Sequence, residues 1–436
     1  MEGSTSKNFT AMNDEVDAIL DEYNFGGVIL FAENVSGTEQ TARLTEELQT
    51  SALQDATGDQ NKIPMFIGID QEGGIVYRIG TCTALPGNMA LGATRSSEYA
   101  KNVGQIIGRE LSSLGINVNF APSMDVNNNP RNAVIGLRLF SSDPNLVARL
   151  GVATIQGLKE YYIAGAAKHF PGHGDTEVDS HYGLPKVDKS LAELKAMELV
   201  PFQAAMDEGI DMITTAHMMF PQLDDTYPAT LSKKILTDLV RTDMGYEGIV
   251  ITDVMNMKAI VDNFSEVEAT ILAIKSGVDI SLMPTILRIK ADITNKLEPM
   301  VQTLVDKADS EPEFMARVNE SAKRVLELKE KRGILDYEAN KIPLDEKIAN
   351  AKAEVGSEAN RNLERQIARD AFTVTKNDNN ILPYNMKSGE KIVLFGAYAN
   401  ELPGMEFAIR RLIAEGKLPS DIVVQTELLR EHNGSA

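Results

Sequence analysis

The sequence predicts an α/β protein: a (β/α)8, TIM-type barrel over residues 1–335, with its first strand missing or atypical, then a partial α/β C-terminal segment. Two observations carry this reading. Short, nearly continuous apolar runs alternate with helix-period stretches, as in βαβ units whose parallel sheet is covered on both faces. Polar and charged residues gather just after those runs, where a barrel collects its functional groups from many strands. The 436 residues allow one large domain and a smaller one, at ~150 residues for an average domain. A doubly wound open sheet is the alternative that the same alternation allows.

Taken in order, the runs at 27–31 (GVILF), 65–69 (MFIGI), 116–120 (INVNF), 163–169 (IAGAAKH), 212–217 (MITTAH), 249–252 (IVIT) and 278–283 (VDISLM) read as strands. A barrel needs eight, and nothing in residues 1–13 supplies another. Residues 191–208 and 232–244 read as helices between strands, and 311–331 as a long amphipathic helix closing the barrel. Residues 336–359 are charged and weakly periodic, which predicts a linker with helical pieces. Residues 360–436 then offer a helix at 360–371, strands at 372–375, 391–395 and 422–425, and a helix at 405–415. That makes a small, incomplete α/β unit.

Composition removes several function classes. Lys and Arg number 43 against 63 Asp and Glu, a formal charge of −20, which repels nucleic acid and anionic lipid. The single cysteine, Cys82, excludes an intrachain disulfide framework and any multi-cysteine zinc site, and reads as a small buried hydrophobe. No apolar run reaches the ~18 to 20 residues of a membrane span, so no stable membrane insertion is expected. The N-terminus has no signal-peptide h-region. As it stands the chain reads as cytoplasmic; a trimmed N-terminus would allow secretion or attachment at the cell wall.

Of five histidines, four lie at 169, 173, 181 and 217. Pro171-Gly172 between His169 and His173 breaks the helix that a zinc-binding H-x-x-x-H would need. A metal site built from loop His and Asp residues stays open as an alternative, but no metal or cofactor is expected. Any one of these histidines could equally be a hydrogen-bonded packing residue. In Asp179-Ser-His181 a carboxylate sits two residues before an imidazole, on one side of an extended chain, where it can fix the tautomer of a general acid–base. Asp253 ends the IVIT run, which suits a nucleophile or base at a barrel mouth, or an N-cap. Asp70 and Glu72 end the MFIGI run before two glycines. Glu72 reads as a supporting residue. Arg138 and Lys168 either reach a ligand or form internal ion pairs, Lys168 with Asp70, Asp125 or Asp253.

The run KHFPGHGDTEVDSHYGLP, with GIDQEGG, LPGNMALGAT, NFAPSMDV, GLRLFSSD and GIVITDVMNM, resembles glycoside hydrolase family 3, in particular its bacterial β-N-acetylglucosaminidases. The likeness runs from about residue 24 to about 335. It implies a (β/α)8 barrel and a two-step retaining hydrolysis of terminal β-linked N-acetylglucosamine. It further implies Asp253 as nucleophile, Asp179 and His181 as acid/base dyad, and Asp70, Arg138, Lys168 and His169 as ring-binding residues. The partner it implies is a small carbohydrate or muropeptide. Two positions depart from the family pattern: Ile75 where arginine is usual, and Leu139 where serine is usual. A phosphorylase on the same site and a non-catalytic sugar-binding protein are the competing readings. The oligomeric state is not legible.

Overall fold

The computed structural model describes residues 8–54, 62–132, 134–177, 180, 183–396 and 402–428. Asp179 and His181 lie outside them. Six strands, β1 (Gly27–Leu30), β2 (Phe66–Ile69), β3 (Val118–Asn119), β4 (Ala164–Phe170), β5 (Met212–Thr215) and β6 (Ile249–Thr252), form one parallel sheet in chain order. The registers run from Gly27↔Phe66 on β1–β2 to Thr215↔Thr252 on β5–β6.

The period of two in a strand sorts these apolar runs onto two faces. Phe66, Val118, Phe120, Ala164, Ala166, Met212, Ile249 and Ile251 are buried together on the inner face of the curl. Their neighbours Ile67, Ile69, Ala167, Ile213 and Val250 are buried on the other face, under the helices. One apolar cluster thus lines the inside of the curl, and two lie on the outer face under the helices.

The expected strand at 278–283 is reduced to one bridge, Ile280 to Ile251. A strand is stabilised by ladders on its sides, and among the described residues nothing pairs with the far side of this segment or of β1. A cavity of about 660 Å³ separates the two, walled by Val28, Ile29, Phe66, Phe120, Ile280 and Leu282. The Lys329 ammonium lies 5.0 Å from the centre of the Phe66 ring, and burial pushes its pKa down to about 8.

Three further expectations need correction. Residues 191–208 form two helices, Leu191–Ala196 and Leu199–Asp207, because the backbone turns out of helical geometry at Met197. Residues 336–359 contain the helical pieces expected, Tyr337–Asn340 and Leu344–Glu354, but pack against the first compact unit. The helix Leu344–Glu354 buries Ile348 and Ala351 in the same apolar core as Leu44 and Leu48 of the helix Thr38–Leu53. Lys347 also meets Glu46 at 3.0 Å. The helix Glu358–Asp370 follows, and Asn360 reaches the buried carboxylate of Glu110 at 3.1 Å. The first compact unit therefore extends to Phe372. Residues 372–375 form no strand; Phe372 and Val374 are exposed. The second unit, from Thr373, contains β7 (Lys391–Gly396) and β8 (Val423–Leu428), parallel and in register from Lys391↔Val423, joined by the helix Leu402–Ala414.

The helices Ser97–Ser113 and Pro144–Lys159 cross at two glycines. A Cβ on Gly104 would lie 2.2 Å from the Thr154 carbonyl oxygen, and one on Gly157 the same distance from that of Lys101. Since backbone atoms cannot give way as a flexible side chain would, Gly104→Ala should destabilise the first unit by about 1–3 kcal/mol. Denaturant unfolding against wild type measures this, and an unchanged midpoint contradicts the packing described.

Candidate active site

The ends of β2, β3, β4 and β6 converge on one polar cluster. Asp70 and Glu72 follow β2, Asp125 follows β3, Lys168 and His169 lie within β4, and Asp253 follows β6. Arg138 arrives from the turn Gly136–Arg138 beyond β3. Asp70, Arg78, Arg138, Lys168, His169, Thr214 and Asp253 all line a cavity of about 310 Å³. Such a volume is at the small end for ligand sites, ~300–1,000 Å³.

Lys168 is the hub. Its ammonium lies 2.6 Å from Asp70 Oδ1 and 2.6 Å from Glu72 Oε1, and its side chain is buried. Glu72 in turn accepts both arms of Arg138, from Nε at 3.0 Å and from Nη2 at 2.7 Å. Planar guanidinium and planar carboxylate match bidentately, which fixes the orientation of Arg138. Burial alone would raise the Glu72 carboxyl, but Lys168 and Arg138 outweigh it and hold the pKa at about 2. Burial opposes the charge on Lys168 as well, and Asp70 and Glu72 reverse that, so its pKa is raised.

His169 is set from behind. Its Nδ1–H donates to Asp125 Oδ2 at 2.8 Å, and its Nε2 stands 3.4 Å from Arg138 Nη2. Asp125 is fully buried and also accepts from the His169 and His173 backbone N–H groups and from the Ser123 hydroxyl. Burial would raise its pKa; His169, His173 and these donors hold it far below the usual carboxylate range. A histidine oriented this way keeps one ring nitrogen turned to the cavity.

The Asp253 carboxylate accepts the Val254 N–H at 2.7 Å. Burial raises its pKa, but His169, His217, that N–H and Lys168 prevail, and the group is held ionised. His217 is buried and bonded at both ring nitrogens: Nε2–H donates to the Val254 carbonyl at 3.0 Å and Nδ1 meets Thr230 Oγ1 at 2.8 Å. It braces the loop that carries Asp253.

Asp70, Arg138, Lys168, His169 and Asp253 are thus brought to one cavity. Lys168 pairs with Asp70 and Glu72; of the other two partners considered for it, Asp125 serves His169 and Asp253 accepts the Val254 N–H. Arg78 was not anticipated. Its Nη2 lies 3.7 Å from Asp70 Oδ2, and its place three residues beyond the unusual Ile75 was the available signal. Ile75 itself points to solvent, 66% exposed, whereas Leu139 is in the core. Among the described residues no group of three or more His, Cys, Asp or Glu side chains could hold a metal ion.

Replacing Glu72 with glutamine leaves Arg138 and part of the Lys168 charge uncompensated in a buried site. Glu72→Gln should cost about 3–5 kcal/mol near neutrality. A carboxyl held at about 2 in the folded state contributes fully above its unfolded value of about 4.3, and the contribution fades as pH falls toward 2. The gap between wild type and variant should therefore narrow on acidification below about pH 4, as read by denaturant unfolding at stepped pH. A gap that is constant or widens contradicts the ion-pair account.

Comparison with known proteins points the same way as the geometry. Residues 4–328 match the family model described as Glycosyl hydrolase family 3 N terminal domain. Beta-hexosaminidase A of Pseudoalteromonas piscicida is 40% identical over 392 residues, covering 86% of this chain. The matched region spans 63% of that relative's length. Beta-hexosaminidase of Neisseria gonorrhoeae is 35% identical over 283 residues, 63% of this chain and 75% of that protein. Among solved structures, a glycoside hydrolase family 3 beta-N-acetylglucosaminidase from Paenibacillus sp. superposes with a TM-score of 0.81 at 30% identity, covering 99% of this chain and 81% of that one. A match over this much of the chain makes this protein a member of glycosyl hydrolase family 3.

Proposed function

We propose that this chain is a retaining exo-β-N-acetylglucosaminidase. The observation that carries the reading is Asp253: an ionised carboxylate in the same small cavity as Lys168, Arg138, His169 and Asp70. Relatives named beta-hexosaminidase and a structural neighbour named beta-N-acetylglucosaminidase support the sugar class. Peptidoglycan fragments are the natural substrate proposed, on the likeness of KHFPGHGDTEVDSH to the bacterial subgroup.

In the first step an Asp253 oxygen attacks the anomeric carbon and the bond to the leaving oxygen breaks. His181, charged and oriented by Asp179, gives that oxygen its proton. The product is a glycosyl ester on Asp253. Water then attacks the same carbon, His181 takes a proton from it, and Asp253 leaves as carboxylate. Two inversions retain the β configuration. Meanwhile Asp70, Arg138, Lys168 and His169 hold the ring by its hydroxyl and acetamido groups. Their mutual ion pairs fix the donors before substrate arrives, so little reorganisation is required at the transition state.

Asp253→Asn should lower turnover by several orders of magnitude while the protein still folds, because an amide cannot form the ester. Activity within about tenfold of wild type, in a preparation free of host enzyme, excludes the nucleophile role. His181→Ala should cripple hydrolysis of a disaccharide, by ~10² to 10⁴. It should spare formation of the glycosyl-enzyme from a dinitrophenyl glycoside, giving a burst and then slow turnover that azide accelerates. Equal slowing of every leaving group, with no response to azide, removes His181 from the acid/base role.

The second expectation is selectivity: kcat/KM for an N-acetylglucosaminide should greatly exceed that for the matching glucoside. Equal values reject the aminosugar assignment. Sugar 1-phosphate as the product in phosphate buffer would replace hydrolysis by phosphorolysis.

A further inference from the structure

His173 does not line the sugar cavity, yet it is buried in the segment after β4 with every polar group engaged. Its backbone N–H donates to Asp125 Oδ1 at 2.6 Å. Its carbonyl accepts from Asn132 Nδ2 at 2.8 Å and from the Thr176 hydroxyl at 3.2 Å. The ring meets Thr176 Oγ1 at 2.8 Å through Nδ1 and Ser180 Oγ at 3.4 Å through Nε2.

These bonds fix the proton positions. The Thr176 hydroxyl spends its one hydrogen on the His173 carbonyl, so its oxygen accepts from Nδ1–H. Nε2 then carries the lone pair and accepts from the Ser180 hydroxyl. Burial and the neighbouring His169 hold the imidazole pKa down to about 4, which keeps Nε2 unprotonated near neutrality.

Ser180 is itself buried. Its carbonyl accepts from the N–H of Ala259, in the short helix Lys258–Val261 of the segment that follows Asp253. One residue thus ties the segment after β4 to the segment after β6, and that residue separates Asp179 from His181 in the sequence.

We infer that His173 and Ser180 form a clasp, with His173 a positioning residue that holds the acid/base segment by the Ser180 hydroxyl. The inference rests on the acid/base reading of Asp179 and His181. A general acid works only within hydrogen-bond reach of the departing oxygen, and a misplacement of about 1 Å can cost ~10²-fold. Ser180 stands between Asp179 and His181 in the sequence and is itself held at its hydroxyl and its carbonyl. The Ser180 end of the clasp acts on proton transfer, whereas the His173 ring also packs edge-on against the His169 ring at 5.8 Å, so the Ser180 hydroxyl is the part that can be removed without touching the sugar-binding cluster.

Ser180→Ala removes the hydroxyl and keeps the fold's volume. Its expected signature is a fall of about tenfold or more in kcat/KM for an N-acetylglucosamine disaccharide. Glycosylation by the dinitrophenyl glycoside should stay within about twofold, azide should accelerate its slow second step, and the variant should stay folded at the assay temperature. His173→Gln should show the same split on top of a loss common to both substrates, from the lost ring contact with His169, and the double variant should be no worse than His173→Gln alone. Equal loss on both substrates, or no loss on either, overturns the clasp. His181→Ala is run beside them. If it shows the leaving-group split and Ser180→Ala does not, only the clasp fails. If His181→Ala slows all leaving groups alike, the acid/base reading fails and the clasp with it.

Discussion

The buried bond between Lys168 and the two carboxylates at the end of β2 is the constraint on which the site depends. A lysine ammonium taken from water into a strand end costs several kcal/mol unless opposite charge meets it closely. Here Asp70 and Glu72 both lie 2.6 Å away. Glu72, fixed by that lysine, then fixes Arg138 through two hydrogen bonds. His169 follows Lys168 in the chain and is seated by Asp125. One chain of charge, Asp70–Lys168–Glu72–Arg138, thus locks together groups from three segments far apart in sequence. Glu72 is the link both cations share, and its loss leaves Arg138 and part of the Lys168 charge uncompensated.

That arrangement shapes the field around Asp253. Burial alone would favour the neutral acid, and His169, His217 and Lys168 reverse it. Each of the three is anchored by other partners. His169 is fixed by Asp125, His217 braces the Val254 carbonyl, and Lys168 holds Asp70 and Glu72. The carboxylate is therefore kept ionised by groups whose positions are set elsewhere. Preorganised charge of this kind suits a step in which positive charge develops at a sugar carbon.

Much of this was legible in the sequence, for physical reasons. The apolar runs that became β1 to β6 are too short for helices and too continuous for exposed loops. Polar residues following such runs can only gather at one end of a parallel sheet, which placed Asp70, Lys168, His169 and Asp253. What the sequence left open was pairing. Lys168 had three carboxylates in prospect, Asp70, Asp125 and Asp253, and only the registers of β2 on β3 and of β3 on β4 bring it to Asp70, add Glu72, and leave Asp125 to His169. Arg78 escaped notice because its side chain reaches back over the turn after Gly74. Ile348 and Ala351 belong to a helix whose polar composition resembles a linker, and their burial depends on a partner helix some three hundred residues earlier. The segment 278–283 is apolar enough for a strand, but a strand needs a ladder on its sides, and that is a property of the whole sheet.

The central claim is that Asp253 becomes covalently bonded to the sugar. The direct test is to trap that ester with a fluorinated N-acetylglucosaminyl fluoride, which slows both steps but the second more. Digestion and mass spectrometry of the inactivated protein should then find one sugar per chain, on the peptide that contains Asp253 and on that residue. Attachment to any other residue, or inactivation with no covalent sugar, would contradict the account.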